Sequence, residues 1–345
     1  MKDLFENKSE EFKKLNKESI RICNEIENVL QGMGLVAMIL IINSLSLCLK
    51  LPKTVRQRNS TLLIALRGCA KSTLIVDILG ESNPNFFQRL DTKTFESQLV
   101  KKPKEYFQNK VLAHDDLITL LAGLSIKQRQ QLVNFFVQIL NGGRYSREGV
   151  ELKDVKCVVA FGIAKENYSK HKTEFFEATL LDRIAIYEKV VNRDDKLRIL
   201  EYRDNQLNSK QALPKIKLPF TKTEKTIKLN LSEEDKEEIR RLAIDLDDYG
   251  IMSFARAQDF IKVFLMSNAL LNKREETNCF DLEFYKMLHP FHLEACGELK
   301  NWDIIRKFRV QNPSIPVKEI IQKTGINEKS VYRILKRLKE RGEIG

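Results

Sequence analysis

The sequence predicts an α/β core with a parallel sheet, followed by an α-helical domain and a C-terminal winged-helix domain. Between residues 61 and 191, short apolar runs alternate with helical patterns, which is typical of strands joined by crossover helices. Beyond a Lys-, Pro- and Thr-rich stretch at 207–230, apolar residues recur at helical spacing. Residues 301–345 show a helix, a short glycine turn and a second helix, which is the helix-turn-helix pattern.

Composition indicates a folded protein that attracts polyanions. The chain has 345 residues, enough for several domains, with a net charge of +12 and a pI near 9.3. Nucleic acid is the partner this charge favours first, and anionic lipid the second. Six scattered cysteines without a paired-cysteine motif indicate a reducing, cytoplasmic setting and no structural zinc.

The first 55 residues are expected to form a helical segment. Up to Glu27, apolar residues at helical spacing among Glu and Lys predict an exposed amphipathic helix, and the mixed charges do not resemble a signal peptide. Residues 29–49 carry no charge and are long enough to cross a membrane. Polar residues interrupt this stretch and its apolar part is short, so we expect a buried helix and no membrane contact.

The first predicted strand, at 61–65, leads into a candidate phosphate loop. Gly68, Lys71 and Ser72 have the order in which a loop and a helix N-terminus hold a nucleoside triphosphate, with the lysine reaching the β and γ phosphates. Alanine replaces glycine at both consensus positions, Ala65 and Ala70. Ala70 fits there if its φ is negative, with Gly68 making the tight turn. The alternative is an ordinary strand, turn and helix.

A second predicted strand, at 110–113, ends in two acidic residues. Asp115 would hold Mg²⁺, and Asp116 would activate the attacking water where glutamate is more usual. The alternative is that both acids cap the helix predicted at 117–124. Further strands are expected at 157–161 and 184–191, and their apolar continuity predicts burial on both faces.

The segment from Gly68 to Ser72, GCAKS, resembles the phosphate loop of the minichromosome maintenance (MCM) helicases, which is GVAKS. That AAA+ family has alanine before its lysine, whereas Ala65 departs from its first glycine. The resemblance implies an α/β P-loop NTPase core of the AAA+ type, a helical lid and a winged helix, with ATP and Mg²⁺ as cofactors. It implies a metal site at Ser72 and Asp115. The implied nucleotide-binding residues are Arg67, Gly68, Cys69, Ala70, Lys71, Ser72 and Thr73.

Two arginines extend this resemblance. The segment LLDR ending at Arg183 is similar to the family's LLSR, whose arginine reaches the ATP of a neighbouring subunit. Arg256 lies in a segment similar to the sensor-2 helix of AAA+ lids and would touch the γ-phosphate. The implied catalytic set is Lys71, Asp115, Asp116, Arg183 and Arg256. Where the family places the sensor-1 asparagine, this chain has Gly162.

Two segments are expected to bind DNA. Glycines around residues 141–150 predict a hairpin. In the resembled helicases, a hairpin at this place grips DNA in the central pore of the ring. The candidate DNA contacts of this hairpin are Arg144, Tyr145 and Arg147. An ordinary solvated turn is the alternative. Residues 301–345 hold eleven Lys and Arg against five Asp and Glu. On the second helix of this helix-turn-helix, the candidate DNA contacts are Lys329, Arg333, Lys336 and Arg337.

The resulting interpretation is a DNA-dependent AAA+ ATPase that translocates on, unwinds or remodels DNA as a homo-oligomer, either a hexameric ring or a filament. The expected units are an N-terminal segment at 1–55, a nucleotide-binding core at 56–206, a linker at 207–230, a lid at 231–300 and a winged helix at 301–345. The alternatives are a weakly hydrolysing nucleotide switch, a DNA-binding structural protein, and a branch-migration or transposition-type AAA+ motor.

Overall fold

The computed structural model describes most of the chain. The described residues are 4–55, 57–66, 68–90, 103–122, 124–147, 150–170, 180, 182–189, 197, 200–201, 214–248, 251–295, 305–306, 308–310, 312–324, 326–340 and 344.

A five-stranded, all-parallel sheet forms the centre of the α/β core. Its strands are β1 (Thr61–Ala65), β2 (Phe87–Arg89), β3 (Lys110–His114), β6 (Cys157–Ala164) and β7 (Ala185–Lys189), in the spatial order β2-β3-β6-β1-β7. The four strands predicted from the sequence are present, and β2 was missed. Every residue of β1 and β6 is buried, because helices cover both faces of the sheet. β1, the strand that leads into the candidate phosphate loop, therefore lies between β6 and β7.

The predicted hairpin is also present. It consists of β4 (Tyr145–Arg147) and β5 (Val150–Leu152), which pair antiparallel with Ser146 opposite Glu151. Gly143 has φ +68°, and a Cβ there would lie 2.4 Å from the carbonyl oxygen of Val155. Only glycine fits this close approach of the two chain segments.

Twelve helices of five or more residues, and one 3-10 helix at Ser46–Cys48, lie in the described part of the chain. The twelve are α1 (Glu10–Leu15), α2 (Lys17–Val29), α3 (Gly34–Leu45), α4 (Thr73–Gly80), α5 (Pro103–Phe107), α6 (Leu117–Leu121), α7 (Ile126–Leu140), α8 (Glu233–Asp248), α9 (Phe254–Leu271), α10 (Cys279–Ala295), α11 (Val317–Thr324) and α12 (Glu328–Glu340). The helical turn that begins at Lys71 widens to π geometry over α4. Reciprocal side-chain and backbone bonds between Ser125 and Gln128 cap α7.

The N-terminal helices are part of the main core, contrary to the expected exposed helix. Phe5 and Phe12 are fully buried, and both rings pack on Phe284, with centroids 6.1 and 6.3 Å away. A buried polar network reinforces this contact, since Ser19 Oγ donates to Asn268 Oδ1 at 2.7 Å. Apolar residues of α2, α3, α9 and α10 and of one face of the sheet form a continuous cluster.

The uncharged segment forms the buried helix that the sequence predicts. α3 is enclosed almost completely and its Asn43 donates to Thr61 Oγ1 at 2.9 Å, which ties the helix to the start of β1. Within the part of the chain that the structure describes, no helix combines the length and the apolar character needed to cross a membrane.

The described part of the expected linker, 214–230, packs along the core. Asn83 binds it through both ends of its amide, donating to Ile216 O at 3.0 Å and accepting from the Leu218 N–H at 3.0 Å. The ring of Phe220 stacks on Phe86 with centroids 5.0 Å apart. This segment therefore packs against the α/β core while it connects that core to α8.

Residues near the C-terminus form a separate small core. α11 and α12 bury one apolar face each, and the described members of this core are Ile305, Ile315, Ile320, Ile326, Val331, Ile334, Leu335 and Leu338. The turn between the helices is stabilised where Asn327 Oδ1 accepts from the Lys329 N–H at 2.9 Å.

Two buried histidines on α10 are expected to make the protein sensitive to acid. Burial lowers the pKa of His289 to about 4 and that of His292 well below its usual value. The unfolded chain, with histidine near 6.5, therefore binds more protons below that pH. Stability should be complete above pH 6.5 and fall towards pH 4, and His289 alone should cost about 2 kcal/mol between pH 8 and 5.

Urea unfolding at pH 8 and 5 measures this loss. The variant His289→Leu should lose about 2 kcal/mol less than the wild type over the same interval, because leucine binds no proton. An identical pH dependence in both proteins would contradict the assignment.

Candidate nucleotide-binding site

The candidate site lies at the carboxyl edge of the parallel sheet. β1 ends at Ala65 and leads into the loop, and β3 ends at His114 and leads into Asp115. β6 lies between these two strands. Loops that follow parallel strands meet at this edge, which is where α/β proteins bind their ligands.

The loop backbone turns through two residues with left-handed φ angles. Gly68 has φ +78° and Ala70 has φ +56°. The condition of a negative φ, under which alanine would fit this position without strain, is therefore not met: Ala70 occupies a conformation that glycine prefers, at a cost of about 1–2 kcal/mol. Left-handed residues next to a helix start turn successive N–H groups inward and make a concave anion site. The first N–H groups of the helix that follows are not used by the helix itself.

Ala65, the other departure from glycine, lies in β1 and not in the turn. It is fully buried, pairs in register with Ala164 and Lys189, and packs with Cys69. A strand residue needs no glycine, since its φ is negative. Cys69 is buried and contributes its backbone to the loop, while Arg67 lies outside the described residues.

Glycine substitutions at these two alanines should have opposite effects. Ala70→Gly should stabilise the fold by about 0.5–1 kcal/mol, because relief of the left-handed strain exceeds the entropy cost of glycine. Ala65→Gly should destabilise it by about 0.5–1 kcal/mol, because the strand loses a packed methyl group and glycine raises the entropy of the unfolded chain. Urea unfolding of both variants provides the comparison, and a destabilising Ala70→Gly would contradict the strain argument.

Lys71 lies beneath the loop with its charge facing the end of β1. Its Nζ donates to Ala65 O at 3.2 Å and to Leu66 O at 3.0 Å, and only 8% of the residue is exposed. Burial lowers the pKa of Lys71, and the neighbouring Cys69, Asp116 and Glu166 act in the opposite direction. The ammonium group is thus held at the loop by these two carbonyl groups.

Ser72 and Asp115 connect the loop to the acidic strand. The Ser72 hydroxyl donates to Asp115 Oδ2 at 2.6 Å. Burial by itself would raise the pKa of Asp115, but the Ser72 hydrogen bond and nearby positive charge hold it below its usual value. A hydroxyl and an ionised carboxylate are the oxygen ligands that Mg²⁺ accepts beside water and phosphate. The described residues contain no group of three His, Cys, Asp or Glu arranged to hold a metal alone.

Sequence reasoning missed two residues that contact this acid pair. Arg89, at the end of β2, has its Nη2 3.6 Å from Asp115 Oδ1. His114 Nδ1 accepts from the Asp116 N–H at 3.1 Å, and burial lowers the pKa of His114, so the ring is neutral at pH 7. β2 has only three residues, and no periodicity identified it.

Asp116 caps a helix, as the alternative interpretation expected. Its Oδ1 accepts from the Ile118 N–H at 3.1 Å and it is the N-cap residue of α6. The second carboxylate oxygen carries no such bond in the described contacts. Asp116 therefore caps α6 through one carboxylate oxygen while it lies next to Asp115 in the chain.

Gly162 lies inside β6, next to the acid pair. A Cβ at this position would lie 2.4 Å from the carbonyl oxygen of Asp115 and 3.3 Å from Ile75 Cδ1. No side chain fits at this position, so the structure requires glycine there. Glycine here brings the strand close to the chain that carries Asp115.

Arg183 and Arg256 lie at the opposite, amino edge of the sheet. Arg183 precedes β7, and Arg256 forms an ion pair with Asp182. Asn59, before β1, donates to Phe260 O at 3.0 Å and ties the start of α9 to the same edge. The length of β1, roughly 13 Å, separates the two arginines from the candidate phosphate loop. The structure thus brings the two arginines together and keeps both away from their own chain's loop.

The hairpin residues differ in accessibility. Arg144 is exposed, whereas Tyr145 is only 4% exposed and its ring packs on Phe135 with centroids 5.0 Å apart. Tyr145 was predicted to contact DNA, and this prediction was wrong, because its ring is a core residue. The side chain of Arg147 lies outside the described part of the structure.

The second C-terminal helix, α12, presents a basic face to solvent. Lys329, Arg333 and Lys336 are exposed, on the side opposite Val331 and Ile334. Tyr332, which sequence reasoning did not single out, is 54% exposed among them. The side chain of Arg337 lies outside the described residues.

Together these features define an α/β protein whose five-stranded parallel sheet is compatible with a P-loop-like core. No protein-family model matches the chain. No curated protein matches it either.

Proposed function

We propose that the protein is an ATPase that uses Mg²⁺ and the loop at residues 68–73. The hydrogen bond between Ser72 and Asp115 carries this proposal, because it joins a phosphate-loop hydroxyl to an ionised carboxylate on a neighbouring strand. Lys71 and the helix N–H groups would hold the phosphates, and Ser72 and Asp115 would hold the metal. Mg²⁺ would offset the charge of the triphosphate when it is bound.

The separation of the arginines from the loop supports action as an oligomer. Within one chain, neither Arg183 nor Arg256 lies at the edge that carries Lys71. In a ring or filament of the AAA+ type, the amino edge of one copy would meet the nucleotide of the next, and both arginines would then stabilise charge on the γ-phosphate. Hydrolysis would depend on assembly.

DNA is the proposed substrate of the motor. The exposed basic face of α12 and exposed Arg144 supply cations for phosphate contacts, and the net charge is +12. α8, α9 and α10 would serve as the lid, and residues 301–345 as the winged helix. The activity would be translocation on, unwinding or remodelling of DNA, as the resemblance to MCM helicases implies.

A nucleotide switch that hydrolyses ATP slowly is the second candidate. The observation that favours it is the hydrogen bond from the Ile118 N–H to Asp116, which holds the expected base as a helix cap. An aspartate fixed in this way activates water less effectively than a free glutamate.

Steady-state ATP hydrolysis, measured with and without DNA over a range of salt concentrations, tests the proposal. An ATPase motor should show turnover that DNA stimulates, and the stimulation should weaken as salt displaces the DNA. Tight ATP binding with negligible turnover in both conditions would favour the switch. Absence of ATP binding would exclude both.

A further inference from the structure

Asp182 lies between the two arginines of the amino edge. Its Oδ1 accepts from the Ser253 N–H at 3.0 Å, and its Oδ2 accepts from Arg256 Nη1. Its backbone carbonyl accepts from the same Nη1 at 3.4 Å. Asp182 therefore binds the first turn of α9 and the guanidinium that projects from it.

A second guanidinium group, that of Arg183, lies near this ion pair. Burial lowers the pKa of Arg183, nearby Arg256 lowers it further, and Asp182 opposes both. Asp182 thus supplies the negative charge that lets two guanidinium groups remain close together. The Arg256 side chain is 28% exposed and that of Asp182 is 35% exposed. An incoming anion can therefore reach the Arg256 guanidinium from solvent.

The geometry resembles the binding of a phosphate group. A carboxylate at a helix N-terminus accepts a backbone N–H and a guanidinium N–H, which is how proteins also hold phosphate oxygens. A triphosphate carries more charge than one carboxylate, and it would compete for the same guanidinium.

We infer that Asp182 is a positioning residue. It pairs with Arg256 in the free chain, and the triphosphate bound to a second copy of the chain replaces it as the partner of Arg256. This inference rests on the proposed function. Before assembly, Asp182 keeps the amino edge closer to neutral and holds Arg256 in place. During assembly its negative charge opposes the incoming phosphates, so it weakens the contact between copies that carry nucleotide.

The test is self-association of the full chain in analytical ultracentrifugation, with Mg²⁺ and a non-hydrolysable ATP analogue. Asp182→Asn keeps the size and the Ser253 acceptor but removes the charge. It should tighten association about tenfold, which corresponds to about 1.4 kcal/mol. Asp182→Glu should behave as the wild type. Asp247→Asn removes an equal charge from an exposed position on α8 and should change nothing.

The outcomes separate the two proposals. If the wild type associates with nucleotide and Asp182→Asn associates equally or more weakly, the inference is overturned while the proposed function stands. If neither protein associates, both fail. If only Asp182→Asn associates, the inference is supported. Asp182→Ser, which also removes the charge and keeps an acceptor, replaces the asparagine variant if thermal unfolding shows that the latter is misfolded.

Discussion

Replacing Lys71 by alanine is expected to reduce ATP hydrolysis at least about 100-fold, which is the typical loss when one preorganised charge contact to a transition state is removed. The ammonium group already lies at the loop, hydrogen-bonded to Ala65 O and Leu66 O. The fold should survive, because the variant loses a desolvated charge together with these two bonds. Steady-state hydrolysis and urea unfolding together measure both effects.

Lys110→Ala is the matched control. Lys110 is also a lysine whose pKa burial lowers, but it starts β3 at the amino edge, where its Nζ donates to Asn85 O at 2.6 Å. Its removal should leave hydrolysis within about twofold of the wild type, a change below about 0.5 kcal/mol. Equal losses in both variants would mean that stability, and not phosphate contact, explains the effect of Lys71.

Gly162→Ala is expected to destabilise the protein by about 3 kcal/mol or more, at the upper end of overpacking effects. The new Cβ would lie 2.4 Å from the Asp115 carbonyl oxygen, which belongs to the backbone and has no rotamer through which to move. Either β6 or the end of β3 must shift, and a shift of β3 would separate Asp115 from Ser72. Urea unfolding measures the first effect and nucleotide affinity the second.

Gly80→Ala, at the end of α4, is the control variant for the added methyl group. Its added Cβ would lie 3.4 Å from Ile75 O, which is an ordinary contact, and its φ is not left-handed. Alanine in a helix is favoured over glycine, so this variant should be as stable as the wild type or up to about 1 kcal/mol more stable. A wild-type stability for Gly162→Ala would show that the two chain segments have room to separate.

The sequence was sufficient to predict the strands that are buried on both faces. β1, β3, β6 and β7 each contain a short apolar run, and such runs are typical of strands in a sheet that helices cover on both faces. The positions of the candidate phosphate loop and of Asp115 were also predictable, because each directly follows one of these strands. Their hydrogen bond then follows from the parallel topology.

Other features depend on contacts that no local pattern contains. β2 is three residues long, so the neighbour of Asp115 that it supplies, Arg89, could not be predicted. Tyr145 occurs in a polar hairpin, and only its packing on Phe135 shows that it belongs to the core. The position of Arg256 depends on an ion pair with a residue more than 70 positions earlier in the chain.

The packing of the N-terminal helices on α10 has a consequence for how the chain folds during synthesis. Phe5 and Phe12 are covered by Phe284, and Lys8 Nζ lies 2.7 Å from Glu283 Oε1, a partner 275 residues away. Contacts this distant in sequence form slowly, since a long loop must close first. α1 is therefore synthesised long before α10, so its apolar face stays uncovered until α10 has been made, and in this interval it is a natural binding site for chaperones.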